Sequence, residues 1–68
     1  MTIEIILNGE TRRVPGPFSV AALLQHLSLD PRMVVVELNH NIVRRAHLEN
    51  TPLAAGDTVE LVHFVGGG

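Results

Sequence analysis

Apolar residues alternate with polar ones near the start of the chain, where the odd positions are Ile3, Ile5 and Leu7. Alternation of this kind is typical of a strand with one buried face. Asn8-Gly9 follows directly, and both residue types tolerate the positive φ angles of a two-residue hairpin turn. The pattern therefore predicts a β-hairpin in which residues 10–14 return antiparallel to the first strand.

The position of the turn also predicts which residues face each other across the hairpin. Leu7 would face Glu10, and Glu4 would face Arg13, so that one face carries a pair of opposite charges. Such a cross-strand pair contributes ~0.2–1 kcal/mol. Arg12 would share a face with apolar side chains, and we therefore place it near a sheet edge, with its stem packed and its head in water.

The hydrophobic period changes after Pro15-Gly16-Pro17, which ends the strand pattern. Apolar residues then recur at the spacing of one helix face, namely at Val20, Leu23, Leu24 and Leu27. Ser19 precedes them and is a good N-cap, because its hydroxyl can accept a hydrogen bond from a free backbone N–H. Phe18 and Leu23 occupy the two positions of a hydrophobic staple. We expect this helix to cover one face of a sheet and to end before Asp30-Pro31.

Three more strands are predicted in the second half of the chain. Residues 33–38 are rich in β-branched side chains and indicate a buried strand. Residues 42–48 indicate a weaker, more polar strand at a sheet edge. Residues 58–65 form the last strand, after a turn at Gly56-Asp57. A hairpin, a helix and three further strands make an α+β sheet domain with its second face partly in water.

Composition narrows the possible classes of function. A chain of 68 residues holds one domain, and 46% hydrophobic residues are too many for a disordered chain. A net charge of −2 and only two aromatic residues argue against nucleic acid as a partner. The absence of cysteine excludes thiolate catalysis, and the four histidines form no close helical ligand pair, so no metal site is predicted. Without a signal peptide or a long apolar run, we expect a cytoplasmic protein that contacts no membrane.

The glycines Gly66, Gly67 and Gly68 follow directly on the last predicted strand. They have no side chains to bury, and three extended residues span about 10 Å. We expect this flexible tail to carry the terminal carboxylate of Gly68 into the active site of another protein. A carboxylate is a poor electrophile, and the chain offers no apparatus to activate it. A partner enzyme that uses ATP could form an acyl-adenylate there, which sulfur could convert to a thiocarboxylate.

The last strand also contains a candidate docking patch. Val59 and Leu61 would form its core face, whereas Glu60, Val62 and Phe64 would point the other way. If the helix covers only one side of the sheet, Val62 and Phe64 lie exposed beside the tail. We interpret these two residues and Glu60 as a partner-binding surface, the alternative being an incidental exposed apolar pair.

Five short segments resemble a known family when they are taken together. They are Leu7-Asn8-Gly9, the helix start Ser19-Val20, residues 36–43, residues 53–61 and the terminal residues 65–68. The second to last of these reads Leu-Ala-Ala-Gly-Asp-Thr-Val-Glu-Leu. Over essentially its whole length the chain is similar to the ThiS family, the bacterial sulfur carriers of thiamine biosynthesis.

The resemblance implies a ubiquitin-like β-grasp fold over residues 1–65, with a mixed sheet of four to five strands and one main helix on one face. It implies a carrier that is not an enzyme, binds no cofactor itself and is a monomer when free. An E1-like adenylyltransferase would use ATP to adenylate Gly68. A sulfur-donor protein would then supply the sulfur, and a thiazole synthase would consume it.

Other functions stay open at this point. The chain could carry sulfur for molybdopterin or cysteine synthesis instead. It could also be a ubiquitin-like modifier that joins Gly68 to lysines of other proteins, although without lysine it cannot build Lys-linked chains on itself. A plain interaction domain, with a tail that has no role, is the remaining alternative.

Overall fold

The structure is a computed structural model that describes residues 1–16 and 18–64. Its strands are β1 (Thr2–Leu7), β2 (Glu10–Pro15), β3 (Val34–Leu38), β4 (Asn41–Val43) and β5 (Thr58–His63), and its α-helix is α1 (Val20–His26). The strands form one sheet in the order β2-β1-β5-β3-β4. β1 and β5 are parallel, whereas the other neighbours are antiparallel. The predicted α+β sheet of four to five strands with one main helix is confirmed.

The first hairpin has the predicted turn and register. Asn8 and Gly9 have φ angles of 49° and 84°, as a turn with two left-handed residues requires. Glu4 lies opposite Arg13, and the Arg13 Nε is 3.8 Å from a carboxylate oxygen of Glu4. Because both side chains are largely exposed, this ion pair contributes at most about 1 kcal/mol. Arg12 is exposed and lies on the edge strand β2, as predicted.

The helix begins where the sequence predicted it to begin. The hydroxyl of Ser19 accepts a hydrogen bond from the Ala22 N–H at 3.1 Å, so Ser19 is the N-cap. The apolar face of α1 is buried, and Phe18 packs partly buried against the same core. Within residues 1–16 and 18–64, none of the helices has the length and hydropathy that a membrane span requires.

The core lies between α1 and one face of the sheet. Its fully buried large side chains come from the strands, the helix and the segment before β5: Ile5, Val14, Val20, Leu23, Leu24, Val36, Leu53 and Val59. The opposite face of the sheet, which we call the open face, has no helix over it among the described residues. The domain therefore buries one side of its sheet and presents the other.

The prediction of a strand over residues 42–48 was wrong. Only Asn41–Val43 is a strand, and Arg45–Asn50 is a 3₁₀ helix. The helical turn lets Leu48, 4% exposed, enter the core beside α1, which an extended edge strand could not do. The hydroxyl of Thr51 closes the turn by donating to the His47 carbonyl at 2.7 Å.

A second 3₁₀ helix, Pro31–Met33, leads the chain into β3. Asp30 caps it, and its carboxylate accepts hydrogen bonds from the Arg32 guanidinium and the Arg32 backbone N–H, both at 2.9 Å. These hydrogen bonds, the side-chain one foremost, lower the pKa of Asp30 to about 2. The local ion pair thus fixes the bend that starts β3.

Candidate functional site

The segment that leads to the predicted tail is held firmly by the sheet. β5 is the central strand, paired with β1 on one side and with β3 on the other. Beyond its end, the Phe64 N–H still donates to the Met33 carbonyl at 2.8 Å. The predicted tail residues Gly66, Gly67 and Gly68 lie outside the described residues. The described body therefore fixes the point from which the tail starts.

The side chains of β5 divide between the two faces as the alternation predicted. Val59 is fully buried and Leu61 is partly buried against the core. Glu60, Val62 and Phe64 are exposed, Val62 by 58% and Phe64 by 50%. Two large apolar side chains thus lie in water directly before the tail. Their predicted role in binding a partner stays a prediction.

The open face contains a further apolar residue that the sequence reasoning missed. Ile42 on β4 is 68% exposed and lies opposite Glu37 of β3, which in turn lies opposite Glu60. Val35 of β3 lies opposite Val62. The exposed apolar area therefore extends over three strands. The register between β3 and β4 would have predicted its position. The incorrect prediction of a strand over residues 42–48 prevented us from deriving that register.

Two glutamates are cross-strand neighbours on this open face. Glu37 and Glu60 are direct partners in the antiparallel β3–β5 pairing. Like charges in directly opposite positions destabilise a sheet. Neither glutamate forms a salt bridge with any residue in the described part of the chain. The open face thus combines exposed apolar side chains with a local concentration of negative charge.

Besides forming the hairpin turn, Asn8 makes two hydrogen bonds to the edge of β5 that faces β1. Its backbone N–H donates to the Val59 carbonyl at 2.9 Å, and its side-chain Oδ1 accepts from the Leu61 N–H at 2.8 Å. The turn residue of the first hairpin thereby ends the β1–β5 pairing. The sequence indicated the turn but not this bond, since the two residues are 53 positions apart.

Substitution of Asn8 separates its two roles. Asn8→Ala should destabilise the protein by about 2 kcal/mol, because alanine resists a positive φ by ~1–2 kcal/mol and the bond to Leu61 contributes ~0.5–1.5 kcal/mol. Asn8→Gly keeps the turn conformation and should cost only about 1 kcal/mol for the lost bond. Urea unfolding of both variants measures this difference. Equal stability of Asn8→Gly and the wild type would show that the Leu61 bond contributes nothing.

A polar network holds the start of β5. The Asn39 Oδ1 accepts from the Thr58 N–H at 2.9 Å, and its Nδ2 donates to the Asp57 Oδ1 at 3.1 Å. The other carboxylate oxygen of Asp57 accepts from the Ala54 N–H at 2.8 Å. Asp57 therefore serves the turn before the strand. Together with the Asn8 bond, this network fixes β5 along most of its length.

Within residues 1–16 and 18–64, the structure brings together no group of three side chains that could hold a metal ion. His63 is the last residue of β5 and lies opposite Val34. The features that distinguish this end of the described chain are thus the hydrogen-bonded strand β5, exposed apolar side chains and two carboxylates without a salt bridge to any described residue.

Comparison with known proteins identifies the family of this chain. The family model of the ThiS family matches residues 5–68. The chain is 36% identical over 50 residues to the sulfur carrier protein ThiS of Bacillus subtilis (strain 168). These 50 residues cover 74% of this chain and 76% of that protein. It is 38% identical over 66 residues to a thiazole synthase of Paramagnetospirillum magneticum (strain ATCC 700264 / AMB-1), covering 97% of this chain. The chain spans only 20% of that synthase.

A solved structure shows the same fold. The crystal structure of the thiamine biosynthesis protein ThiS from Geobacter metallireducens superposes with a TM-score of 0.83 at 33% identity. The match covers 97% of this chain and 100% of that one. The expected β-grasp fold is confirmed. The chain belongs to the ThiS family.

Proposed function

We propose that this chain is a sulfur carrier of thiamine biosynthesis that carries its sulfur on the carboxyl group of Gly68. The observation that supports this most directly is the ThiS family match, which runs through the terminal glycines. The relative from Bacillus subtilis is itself named a sulfur carrier protein. In this proposal the folded body presents the tail, and partner enzymes perform the chemistry.

Two partner reactions would load the carrier. An E1-like adenylyltransferase would let the Gly68 carboxylate attack the α-phosphorus of ATP, so that pyrophosphate leaves and an acyl-adenylate forms. Sulfur at the oxidation level of hydrosulfide, supplied by a donor protein, would then attack the acyl carbon. The bond from that carbon to the AMP oxygen breaks, AMP leaves, and the thiocarboxylate remains.

The geometry of β5 supports a role in presenting the tail. β5 lies between two neighbouring strands, and its backbone is hydrogen-bonded as far as Phe64. From that point, four residues in an extended conformation would span ~14 Å. A rigid root and a narrow, side-chain-poor end suit insertion into an enzyme while the domain stays outside.

Relatives of this chain suggest the enzyme that receives the sulfur. Proteins named thiazole synthase from Paramagnetospirillum magneticum and Magnetococcus marinus (strain ATCC BAA-1437 / JCM 17883 / MC-1) each contain a segment similar to this chain. In each case the segment accounts for 20% of the protein. We therefore infer that the present chain delivers its sulfur to a thiazole synthase.

Intact-mass analysis of the protein isolated from its own cells tests the proposal. A sulfur carrier should include a fraction in which one oxygen is replaced by sulfur, and fragmentation should locate the sulfur at Gly68. Isopeptide-linked adducts would instead indicate a protein modifier. Neither species, in cells that are making thiamine, would leave only the interaction-domain alternative. Loss of the sulfur form on deletion of the thiazole-synthase pathway's adenylyltransferase would identify the activating enzyme.

The patch formed by Glu60, Val62 and Phe64 gives a prediction about the activating enzyme. Phe64→Asp should raise the KM of the adenylyltransferase for this protein by roughly 30-fold, the effect of losing about 2 kcal/mol at a central interface residue. Because Phe64 is half exposed, folding should stay largely intact. Steady-state adenylation kinetics, with circular dichroism to check folding, measure both expectations.

Phe64→Leu is the matched control, because it keeps an apolar side chain at the same position. Its KM should rise only a few-fold. Normal adenylation of Phe64→Asp would refute the docking role of this residue. Ile42→Asp, on the same open face, then tests how far the docking surface extends across the sheet.

A further inference from the structure

The C-terminal half of β5 has a neighbouring strand on one side only. Its pairing with β1 ends at Leu7 and Val59, whereas its pairing with β3 continues to His63. On the β1 side, the Leu61 N–H is taken by the side chain of Asn8. Beyond Asn8, no described residue continues the sheet on that side. A short free edge therefore lies immediately before the tail.

The backbone groups at this edge follow from the pairing pattern. Along an antiparallel strand, successive residues direct their N–H and C=O groups to opposite edges. The Phe64 N–H faces β3, where it donates to Met33, and the Leu61 N–H faces Asn8. His63 has the same parity as Leu61, so its N–H and C=O face the free edge, as does the Leu61 C=O. These three groups have no hydrogen-bond partner among the described residues.

A cleft of about 400 Å³ adjoins this edge on the helix side of the sheet. Four of its eight lining residues are leucines, and the other four are Val34, Asn8 and two side chains that can be charged, Arg12 and His63. The leucines are Leu7, Leu27, Leu29 and Leu61. Arg12 forms no salt bridge within the described part of the chain. The cleft therefore combines an apolar part, lined by leucines and Val34, with the Arg12 guanidinium, which has no salt-bridge partner among the described residues.

We propose that an extended segment of the thiazole synthase adds to the free edge of β5 as a further strand. Its backbone pairs with Leu61 and His63, while an apolar side chain enters the cleft. An acidic side chain two positions away, on the same face of the added strand, pairs with Arg12. In strand addition, main-chain hydrogen bonds supply affinity and pockets for alternate side chains supply specificity. This proposal rests on the proposed function.

The side chains beside the free edge and the sequences of the relatives together favour a thiazole synthase as the partner. The guanidinium of Arg12 would pair with an acidic side chain of the partner segment, and the leucines of the cleft would contact an apolar side chain of the same segment. The edge also runs directly into the residues that must enter the receiving enzyme. In each of the two proteins named thiazole synthase, a segment similar to this chain is covalently joined to the rest of the protein. A contact between the present chain and a thiazole synthase is consistent with this arrangement. The open face stays available to the activating enzyme, because its side chains point perpendicular to the edge.

His63→Pro tests the backbone part of the proposal. Proline removes the N–H that faces the free edge and leaves the hydrogen bonds to β3 intact, the position in a strand where proline is tolerated. His63→Ala is the matched control, because it removes the side chain but keeps the N–H. Titration calorimetry with the purified thiazole synthase should show a Kd at least 10-fold higher for His63→Pro than for His63→Ala.

Arg12→Glu tests the side-chain part and does not depend on the folding of a proline variant. It should weaken binding of the synthase by at least 10-fold. Arg13→Glu, on the other face of the same strand, is the charge-matched control and should bind like the wild type. In the wild-type complex, hydrogen exchange of the His63 amide should also slow at least 10-fold.

The outcomes separate this proposal from the proposed function. Suppose that the wild type carries sulfur and binds the synthase, that His63→Pro binds it as well as His63→Ala, and that Arg12→Glu binds it as well as Arg13→Glu. Strand addition is then wrong, and the sulfur-carrier function stands. If His63→Pro and Arg12→Glu weaken binding to the adenylyltransferase and not to the synthase, the edge belongs to the activating enzyme and the proposal is overturned. If the wild type neither carries sulfur nor binds the synthase, both proposals fail.

Discussion

Removal of Gly67 and Gly68 should abolish formation of the sulfur-carrying species while leaving the free energy of unfolding almost unchanged. The truncated chain still ends in a carboxylate, on Gly66, but that group would stop about 7 Å short of its former reach. A displacement of about 1 Å at a reacting centre already costs ~10²-fold in rate. We therefore expect adenylation of the truncated protein to fall at least ~10³-fold.

The stability expectation follows from where the described interactions end. Among the described residues, the core side chains and the strand pairings lie at or before His63, and the last backbone hydrogen bond is that of Phe64. Deletion of Gly67 and Gly68 removes no residue that forms these interactions. Urea unfolding should therefore give the wild-type midpoint within experimental error.

A length-matched variant shows whether reach alone matters. Replacement of Gly67 and Gly68 by two alanines keeps the length of the chain but adds two Cβ atoms where a narrow channel would need glycine. It should be adenylated more slowly than the wild type and faster than the truncated form. Full activity of the truncated protein, measured by intact mass and by rescue of growth without thiamine, would contradict the role of the tail.

The parts of the fold that the sequence predicted well depend on local chemistry. The first hairpin follows from Asn8-Gly9, because few residue pairs accept two positive φ angles in succession. The helix start follows from Ser19, whose hydroxyl needs only a backbone N–H three residues away. The exposure of Val62 and Phe64 follows from the two-residue period of a strand.

The parts that the sequence did not predict depend on contacts between distant segments. Leu48 belongs to a 3₁₀ helix because the core beside α1 accepts it there, and nothing in its neighbours signals this. Ile42 and Glu37 join the open face through the register of three strands. The second bond of Asn8 and the free edge of β5 exist only because β1 and β5 are parallel neighbours. A functional surface assembled across strands is therefore visible only once the sheet order is known.

Among the described residues α1 is the one α-helix that covers the sheet, so the core of this small domain depends on it, and Leu23→Ala should remove much of the stability. Leu23 is completely buried at the centre of the helix face that covers the sheet. Truncation of a buried leucine to alanine costs about 2–5 kcal/mol. A domain of this length has a total stability of roughly 3–10 kcal/mol, so this variant should be partly unfolded at physiological temperature. Urea denaturation followed by circular dichroism measures the loss.

Gln25→Ala provides the control within the same helix. Gln25 is exposed, and its replacement should change the free energy of unfolding by no more than ~0.5 kcal/mol. The substitution at Leu23 should also impair presentation of the tail, because β5, from which the tail extends, packs its core face against the residues that α1 covers. Adenylation of Leu23→Ala should therefore fall in proportion to the folded fraction. A cost below about 1 kcal/mol at Leu23 would contradict the cavity expected from its complete burial, and with it the placement of α1 over the sheet.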